Sequence, residues 1–238
     1  ATALIGDPSG KDAERPFVDE SVIADQAKKI QKQIQSIQGL SKTKFVNNYD
    51  WFKKINVLDF LRDTGKHFTV NNMMKKDSVA RRISGDDGIS FTEFSYALIQ
   101  GYDFYHLNIQ EKCDLQIGGS DQWGNIISGV EFVRRKLGKK VDALTLPLVV
   151  DKATGKKFGK SEGNAVWLDP NKTSVYDFYQ FWFNTSDESV IDYLKLFTFL
   201  SLDEIAEIKN NFDANPGLRS AQAILAREAT AFVHGDDA

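Results

Sequence analysis

A short basic segment, residues 156–161, carries side chains that could act on a polyphosphate. Lys157 and Lys160 bracket a Phe-Gly pair, and Ser161 follows. Two ammonium groups, a hydroxyl and backbone N–H groups beside a glycine can stabilise charge that develops on phosphate oxygens. This stabilisation is the electrostatic part of phosphoryl or nucleotidyl transfer. A basic run with a glycine is also typical of an ordinary solvated loop, so the segment needs support from elsewhere in the chain.

A second turn, Gly6-Asp7-Pro8-Ser9-Gly10-Lys11, begins where an apolar segment ends. It differs from a Walker loop, because only three residues separate its glycines and Asp12 follows the lysine in place of Ser or Thr. The remaining interpretation is a tight turn that presents Asp7 to a crevice, with Lys11 and Arg15 one and two helical turns further on. A turn without any binding role explains the same residue types equally well.

Paired glycines, Gly118 and Gly119, precede Asp121 and Gln122 at the predicted start of a helix. Glycines at the end of a strand let a sugar or a phosphate approach the backbone closely. A carboxylate at this position can accept hydrogen bonds from ribose hydroxyls. The alternative is a plain strand-to-helix turn in which the aspartate caps the helix.

Three polar residues, Tyr96, Gln100 and Asp103, follow one another at helical spacing. Positions i, i+4 and i+7 lie on one face of a helix, so their side chains share a surface. Most of the intervening residues are apolar, and polar side chains buried among them need hydrogen-bonding partners. The pattern predicts the wall of a small, specific pocket.

The elements that position these residues alternate between strands and helices over residues 1–172. This alternation predicts an α/β fold, a Rossmann-like doubly wound parallel sheet. The predicted strands are 1–6, read as the end of a buried strand, then 45–46, 115–117 and 143–150. The predicted helices are 19–38, 57–64, 90–107 with a capping box at its start, and one that Ser120 or Asp121 caps and that ends near Gly138.

A small all-helical domain is predicted for residues 173–238. The boundary is placed near Asp169-Pro170-Asn171, because the residue before a proline disfavours helix and Asp and Asn favour turns. Amphipathic patterns then predict helices over 187–199, 202–212 and 219–233.

The composition limits the class of protein. The chain has 238 residues, 42% of them hydrophobic, and a net charge of −3, so any contact with nucleic acid requires a local basic patch. One cysteine excludes an internal disulfide and a cysteine zinc site, and the three histidines lack metal-ligand spacing, so no metal site is predicted. No apolar run approaches the roughly 20 residues that span a bilayer. We expect a protein of the cytoplasm or of an organelle matrix, without a membrane partner.

Taken in order, five motifs resemble those of bacterial-type tyrosyl-tRNA synthetases, which are class I aminoacyl-tRNA synthetases. The match covers essentially the whole chain, and motifs in register are far more specific than any single one. They are Gly-Asp-Pro-Ser-Gly (6–10), Asn-Asn-Tyr-Asp-Trp (47–51), Gly-Ile-Ser-Phe-Thr-Glu-Phe (88–94), Gly-Gly-Ser-Asp-Gln-Trp-Gly-Asn (118–125) and Lys-Phe-Gly-Lys-Ser (157–161).

This resemblance implies a tyrosine–tRNA ligase. Such an enzyme makes tyrosyl-adenylate and pyrophosphate from tyrosine and ATP, and then transfers tyrosine to the 3′ end of tRNA(Tyr). It also implies a tyrosine site in which Asp7, Tyr96 and Gln100 bind the α-ammonium group and Asp103 accepts from the phenolic hydroxyl. Gln122 would face the tyrosyl carboxyl or the adenylate. A buried acceptor that phenylalanine leaves unpaired gives strong discrimination, for which this family is itself the standard example.

The other implied roles concern ATP. Gly119 and Asp121 would contact the ribose, Leu148 and Val149 would hold adenine through their backbone groups, and Asn48 and Trp51 would support the tyrosine pocket. Lys160 is implied both in ATP binding and in catalysis, with Mg²⁺ expected in solution. The groups that would hold the leaving pyrophosphate are Lys157, Lys160 and Ser161, helped by Lys11 and Arg15.

The chain also departs from the family pattern. It has no His-x-Gly-His signature, which the resemblance places upstream of Ala1, and it has no C-terminal RNA-binding domain. We therefore expect a fragment, and whether it is active alone stays open. The resemblance further implies a homodimer, with the segment around Phe91 in its interface. Two alternatives stay open: a noncatalytic binding or dimerisation module, and a general nucleotide-binding protein of doubly wound fold.

Overall fold

The computed structural model of the chain describes residues 1–8, 18–85, 88–150, 152 and 166–238. The chain divides into two compact units. One consists of Ala1–Gln26 and Val46–Leu148, and the other of Ala27–Phe45 and Val149–Ala238. In the described ranges no helix is long and apolar enough to cross a membrane.

The first unit holds most of the shorter helices and the two described strands. Helix α2 (Glu20–Ser36) begins in this unit and ends in the other, and it matches the helix predicted for 19–38. The helices of the unit besides α2 are α1 (Thr2–Ile5), α3 (Tyr49–Phe52), α4 (Val57–Asp63), α5 (Val70–Met74), α6 (Asp77–Ile83), α7 (Phe91–Glu111) and α8 (Trp123–Leu137). Short 3₁₀ turns lie at Gly65–His67 and Ser120–Gln122.

The strands are β1 (Leu115–Gly119) and β2 (Asp142–Leu146), and they pair in parallel from Leu115 opposite Asp142 to Gly119 opposite Leu146. Helix α8 connects them, which makes a strand-helix-strand crossover, the repeating unit of a doubly wound sheet. The predicted fold class, a Rossmann-like α/β domain followed by helices, is confirmed.

The packing of α7 against α8 forms the core beside this crossover. Phe104 on α7 and Val133 on α8 are fully buried, together with Val141 before β2. The two helices approach closely at Gly129, where an added Cβ would lie 2.9 Å from the Cβ of Phe104. Only a residue without a side chain fits at this crossing.

The start of α7 is held by a cap and an ion pair. Ser90 Oγ accepts from the backbone N–H of Glu93 at 3.2 Å, which is one of the two bonds of the predicted capping box. The Glu93 carboxylate pairs with the Arg82 guanidinium on α6 at 2.9 Å, and both side chains are almost inaccessible to solvent. Arg82 Nε also donates to the carbonyl of Gly88. This pair joins the end of α6 to the start of α7.

The strand predicted for residues 1–6 is wrong, since Thr2–Ile5 form α1. Backbone N–H groups of this segment are satisfied locally, with Leu4 N donating to Ala1 O and Gly6 N to Thr2 O. A strand needs a neighbouring strand for these bonds, and no strand in the described ranges pairs with residues 1–5. The apolar residues at positions 3–5 therefore did not suffice to predict a strand.

Three smaller predictions are also corrected. Phe45 and Val46 form no strand, because two apolar residues without a strand partner in the described part of the chain cannot make a ladder. Strand β2 ends at Leu146 and not at Val150, because Pro147 follows and has no N–H to donate. Neither Ser120 nor Asp121 caps α8: the 3₁₀ turn Ser120–Gln122 precedes it, and a backbone bond from Trp123 N to Ser120 O takes the place of a side-chain cap.

The second unit is helical beyond α2, as predicted from residue 173 onward. Phe178, Leu194 and Leu225 are at the centre of its core and have almost no accessible surface. Its helices are α9 (Val175–Phe183), α10 (Asp187–Phe197), α11 (Leu202–Ala214) and α12 (Ser220–His234). The two compact units of the chain meet in sequence between residues 148 and 149. The predicted domain boundary between residues 172 and 173 stays a prediction.

Candidate functional site

A half-buried carboxylate on α7, that of Asp103, is the centre of one polar cluster. Asn48 Nδ2 donates to Asp103 Oδ2 at 2.9 Å, and Trp51 Nε1 donates to Asp103 Oδ1 at 2.9 Å. Asn48 precedes α3 and Trp51 lies within it, so this short helix supplies both donors. Asn48 Nδ2 also donates to the hydroxyl of Thr2. Asn48 and Trp51, predicted to support a tyrosine pocket, are thus bonded directly to Asp103, and their role toward a ligand stays a prediction.

Burial raises the pKa of Asp103 to about 6, because an ionised carboxyl loses hydration inside the protein. The hydrogen bonds from Asn48 and Trp51 act against this rise. Each carboxylate oxygen already accepts one hydrogen bond, and a carboxylate can accept about four in total. Asp103 thus retains capacity to accept from the hydroxyl of a bound molecule.

Tyr96 and Gln100 lie on α7, two turns and one turn before Asp103, and both are half-buried. Because the three residues are spaced i, i+4 and i+7 in one continuous α-helix, their side chains leave the helix on the same side. The helical stripe that the spacing predicted is therefore present. Its role in holding a ligand stays a prediction.

A second carboxylate, Asp7, lies against the start of α8. Gln122 Nε2 donates to Asp7 Oδ2 at 2.6 Å, and Asn125 Nδ2 donates to Asp7 Oδ1 at 3.3 Å. Asn125 Nδ2 is also 3.4 Å from Gln122 Oε1. These bonds bring together residues more than a hundred positions apart in the chain. Asp7 and Gln122, assigned to the same ligand from the sequence, are in direct contact.

Asn125 also belongs to this polar cluster, although no role was predicted for it from the sequence. It is only 4% exposed and shares Asp7 with Gln122. Its position three residues after Gln122 could have indicated this contact, because residues i and i+3 of a helix are neighbours on its surface.

Three of the residues implied in ATP binding gather at the end of β1. A Cβ added to Gly119 would lie 2.7 Å from Asp121 Oδ1 and 3.2 Å from Leu148 Cδ2. The position therefore has no room for a Cβ, and glycine lets the carboxylate and the apolar side chain approach the backbone closely. Val149, also implied in ATP binding, packs in the second unit beside the buried cluster of Phe178 and Trp182.

The residues predicted to hold pyrophosphate lie outside the described residues. They are Lys11, Arg15, Lys157, Lys160 and Ser161. Within the described ranges, no group of three or more His, Cys, Asp or Glu residues could hold a metal ion.

Comparison with protein families matches residues 1–238 to the model described as tRNA synthetases class I (W and Y). The chain is 55% identical over 242 aligned residues to a tyrosine–tRNA ligase of Streptococcus pyogenes serotype M5 (strain Manfredo). It is 56% identical to the corresponding protein of Streptococcus suis (strain 98HAH33). All of the chain is covered in both cases, but it spans only 57% of each relative's length.

Comparison with solved structures also finds tyrosyl-tRNA synthetases. The chain resembles a C-terminally truncated mitochondrial tyrosyl-tRNA synthetase of Aspergillus nidulans with a TM-score of 0.79 and 34% identity, covering 100% of this chain and 71% of that one. The equivalent protein of Coccidioides posadasii gives a TM-score of 0.75 and 30% identity, covering 99% and 69%.

Proposed function

Because the chain belongs to the class I tRNA synthetases of the tryptophan and tyrosine type, we propose that its whole protein is a tyrosine–tRNA ligase. The relatives that match along the entire chain carry this name. The observation that carries the choice of tyrosine is Asp103, a half-buried carboxylate held by Asn48 and Trp51. An acceptor in this environment favours a ligand with a hydroxyl group, because a ligand without one leaves the carboxylate unpaired.

In this proposal Asp103 accepts from the phenolic hydroxyl of tyrosine. The α-ammonium group is bound by Asp7, Tyr96 and Gln100, and Gln122 faces the carboxyl group or the adenylate. The bonds from Gln122 and Asn125 to Asp7 support the role of Asp7, since they fix the direction of its carboxylate. A fixed carboxylate loses little entropy when it binds a cation.

ATP is the second substrate in the proposal. Its ribose lies against Gly119 and Asp121, and its adenine lies beside the backbone of Leu148 and Val149. The lack of a side chain at Gly119 supports this placement, because it brings Asp121 and Leu148 close to the bare backbone at the end of β1. No covalent enzyme intermediate is required: the tyrosine carboxylate attacks the α-phosphate and pyrophosphate leaves.

Catalysis then consists of positioning and charge stabilisation. The positive groups assigned to the leaving pyrophosphate are those of Lys157 and Lys160, with the Ser161 hydroxyl and with help from Lys11 and Arg15. Mg²⁺ accompanies ATP from solution.

The macromolecular partners belong to the proposal as well. Tyrosine is transferred to the 3′ end of tRNA(Tyr), and the protein acts as a homodimer in the cytoplasm or in an organelle matrix. Phe91 is 76% exposed at the start of α7, which is the kind of apolar surface that a subunit interface covers.

The proposal is tested by tyrosine-dependent exchange of pyrophosphate into ATP, measured with the whole protein. Replacing Asp103 by Ala removes a charged acceptor, so preference for tyrosine over phenylalanine should fall roughly ten- to hundredfold. Asp50→Ala, an exposed aspartate of α3 that pairs only with Lys53 among the contacts of the described chain, is the control. Unchanged discrimination in Asp103→Ala would refute the tyrosine pocket.

The two alternatives give different results in the same experiment. A noncatalytic binding or dimerisation module shows no exchange in any form of the protein. A general nucleotide-binding protein binds ATP with the same affinity whether or not tyrosine is present. Calorimetric titration with ATP, with and without tyrosine, separates these alternatives from the ligase.

A further inference from the structure

Trp51 of α3 is held by α7 on two sides. Its indole Nε1 donates to Asp103 Oδ1 at 2.9 Å, and the flat face of its ring stacks on the imidazole of His106. The two ring centroids are 4.3 Å apart, and the ring planes differ by 18°. Asp103 and His106 are three residues apart in one helix, so they are neighbours on its surface. One turn of α7 therefore contacts both the edge and the face of this indole.

His106 is itself packed among aromatic rings. Its centroid lies 6.3 Å from that of Tyr102, with 29° between the two ring planes. Tyr102 in turn contacts Phe52 of α3 at 5.3 Å and Phe60 of α4 at 5.9 Å. These rings join α7 to both shorter helices, and they limit the positions that the imidazole of His106 can take.

The imidazole of His106 supplies a flat surface to Trp51 without a charge. Burial lowers the pKa of His106 below its ordinary value of 6.5, and Glu111 opposes this shift only in part. At neutral pH the ring is therefore mainly uncharged. An uncharged ring stacked on an indole acts through packing, so its effect on Asp103 passes through the position of Trp51.

The position of Trp51 determines how Asp103 can meet a ligand. Trp51 and Asn48 each donate to one carboxylate oxygen, and this fixes the direction of the lone pairs that remain free to accept. An indole that can rotate loses its bond to Asp103, and the carboxylate then loses this fixed direction. A ligand with a hydroxyl group gains less from such a carboxylate, whereas a ligand without a hydroxyl group is unaffected.

We propose that His106 is a positioning residue for tyrosine specificity, because it holds the Trp51 indole so that Asp103 is directed at the phenolic hydroxyl. This inference rests on the proposed ligase function. It assigns to His106 no contact with tyrosine, ATP or the reacting atoms. Loss of the stack should therefore weaken the use of tyrosine and leave that of phenylalanine and ATP unchanged.

The test measures pyrophosphate exchange with the whole protein and compares kcat/KM for tyrosine with kcat/KM for phenylalanine. His106→Ala should lower this ratio by about three- to tenfold, because a stacked aromatic pair contributes a free energy of that order. The change should lie in the KM for tyrosine, with the KM for ATP unchanged. If His106→Ala does not fold, His106→Leu takes its place, since leucine fills the volume without a flat face.

Two further variants separate positioning from general packing. His106→Phe keeps a flat, uncharged ring and should retain most of the wild-type ratio. His234→Ala is the matched control, because it removes another half-buried imidazole, which packs edge-on against Phe178 in the second unit at 4.9 Å. It should lower stability without changing the ratio, since a smaller folded fraction reduces the rates with both amino acids alike.

A double-mutant cycle identifies the route of the effect. Trp51→Phe keeps a ring but removes the indole N–H, so by itself it should lower the ratio. Adding His106→Ala to Trp51→Phe should lower the ratio no further, because both residues act on the same bond to Asp103.

Three results would count against the role of His106. They are an unchanged ratio in His106→Ala, equal losses with tyrosine and phenylalanine, and losses that multiply in the double variant. In each case a wild type that prefers tyrosine leaves the ligase function intact. A wild type without tyrosine-dependent exchange would instead refute the ligase function, and this inference with it.

Discussion

Asp103 illustrates how the surroundings of a single residue change its chemistry. Its position on α7 is a matter of local spacing, but its pKa near 6 comes from burial and from two donors on α3. At neutral pH the group is mainly ionised, as an acceptor for a hydroxyl must be. The cost of keeping this charge buried is borne by the stability of the fold.

This cost predicts a pH dependence. The pKa of Asp103 in the folded state is above its unfolded value, so the folded state binds the proton more tightly and the contribution of Asp103 to stability decreases as pH rises from about 4 to 6. Between pH 5 and pH 7 the wild type should lose about 1 kcal/mol relative to Asp103→Asn, which does not titrate. Urea denaturation of both proteins at the two pH values measures this difference. An equal difference in stability at both pH values would contradict the raised pKa.

At the scale of elements, the contact between α7 and α8 decides where the site residues lie. Helix α7 supplies Asp103, and α8 begins with the residues that hold Asp7. The two helices can approach only because Gly129 leaves room for Phe104. The buried pair of Arg82 and Glu93 then fixes the start of α7.

The close approach predicts opposite effects for two glycines of α8. Gly129→Ala places a Cβ 2.9 Å from the Phe104 Cβ, and the overpacking should cost about 1–3 kcal/mol despite the better helix propensity of alanine. In Gly124→Ala, on the same helix, the added Cβ would lie 3.7 Å from its nearest described neighbour, Lys76 Cδ. This substitution should be neutral or should stabilise the fold by up to about 1 kcal/mol. Urea unfolding of both variants is the measurement. Equal effects would show that the two helices do not cross tightly at Gly129.

At the scale of the molecule, burial is concentrated between helices. Phe104 has no accessible surface, whereas the side chains on one face of the two-stranded sheet are half or more exposed. These are Leu115, Ile117, Leu144 and Leu146. The sheet therefore positions the glycines and Asp121 at its end, while the helices supply most of the apolar burial in the first unit.

A pair of truncations within the first unit tests this distribution. Phe104→Ala should lower the free energy of unfolding by about 3–5 kcal/mol, because it removes a fully buried ring and leaves a cavity. Ile117→Ala, at a side chain that is 68% exposed, should cost less than about 1 kcal/mol. Chemical denaturation compares them directly. A loss at Ile117 as large as that at Phe104 would place the core of this unit at the sheet.

The sequence by itself determined the longer helices, the β1–α8–β2 crossover and the stripe of Tyr96, Gln100 and Asp103. These features follow from periodicity and turn residues, which are properties of neighbouring positions. Only the tertiary structure decided that residues 2–5 are helical, that Asn125 shares Asp7 with Gln122, and that Lys76 donates a hydrogen bond to Ser128 of α8. These depend on contacts between segments far apart in the chain, and on the burial that such contacts create, which spacing along the sequence does not specify.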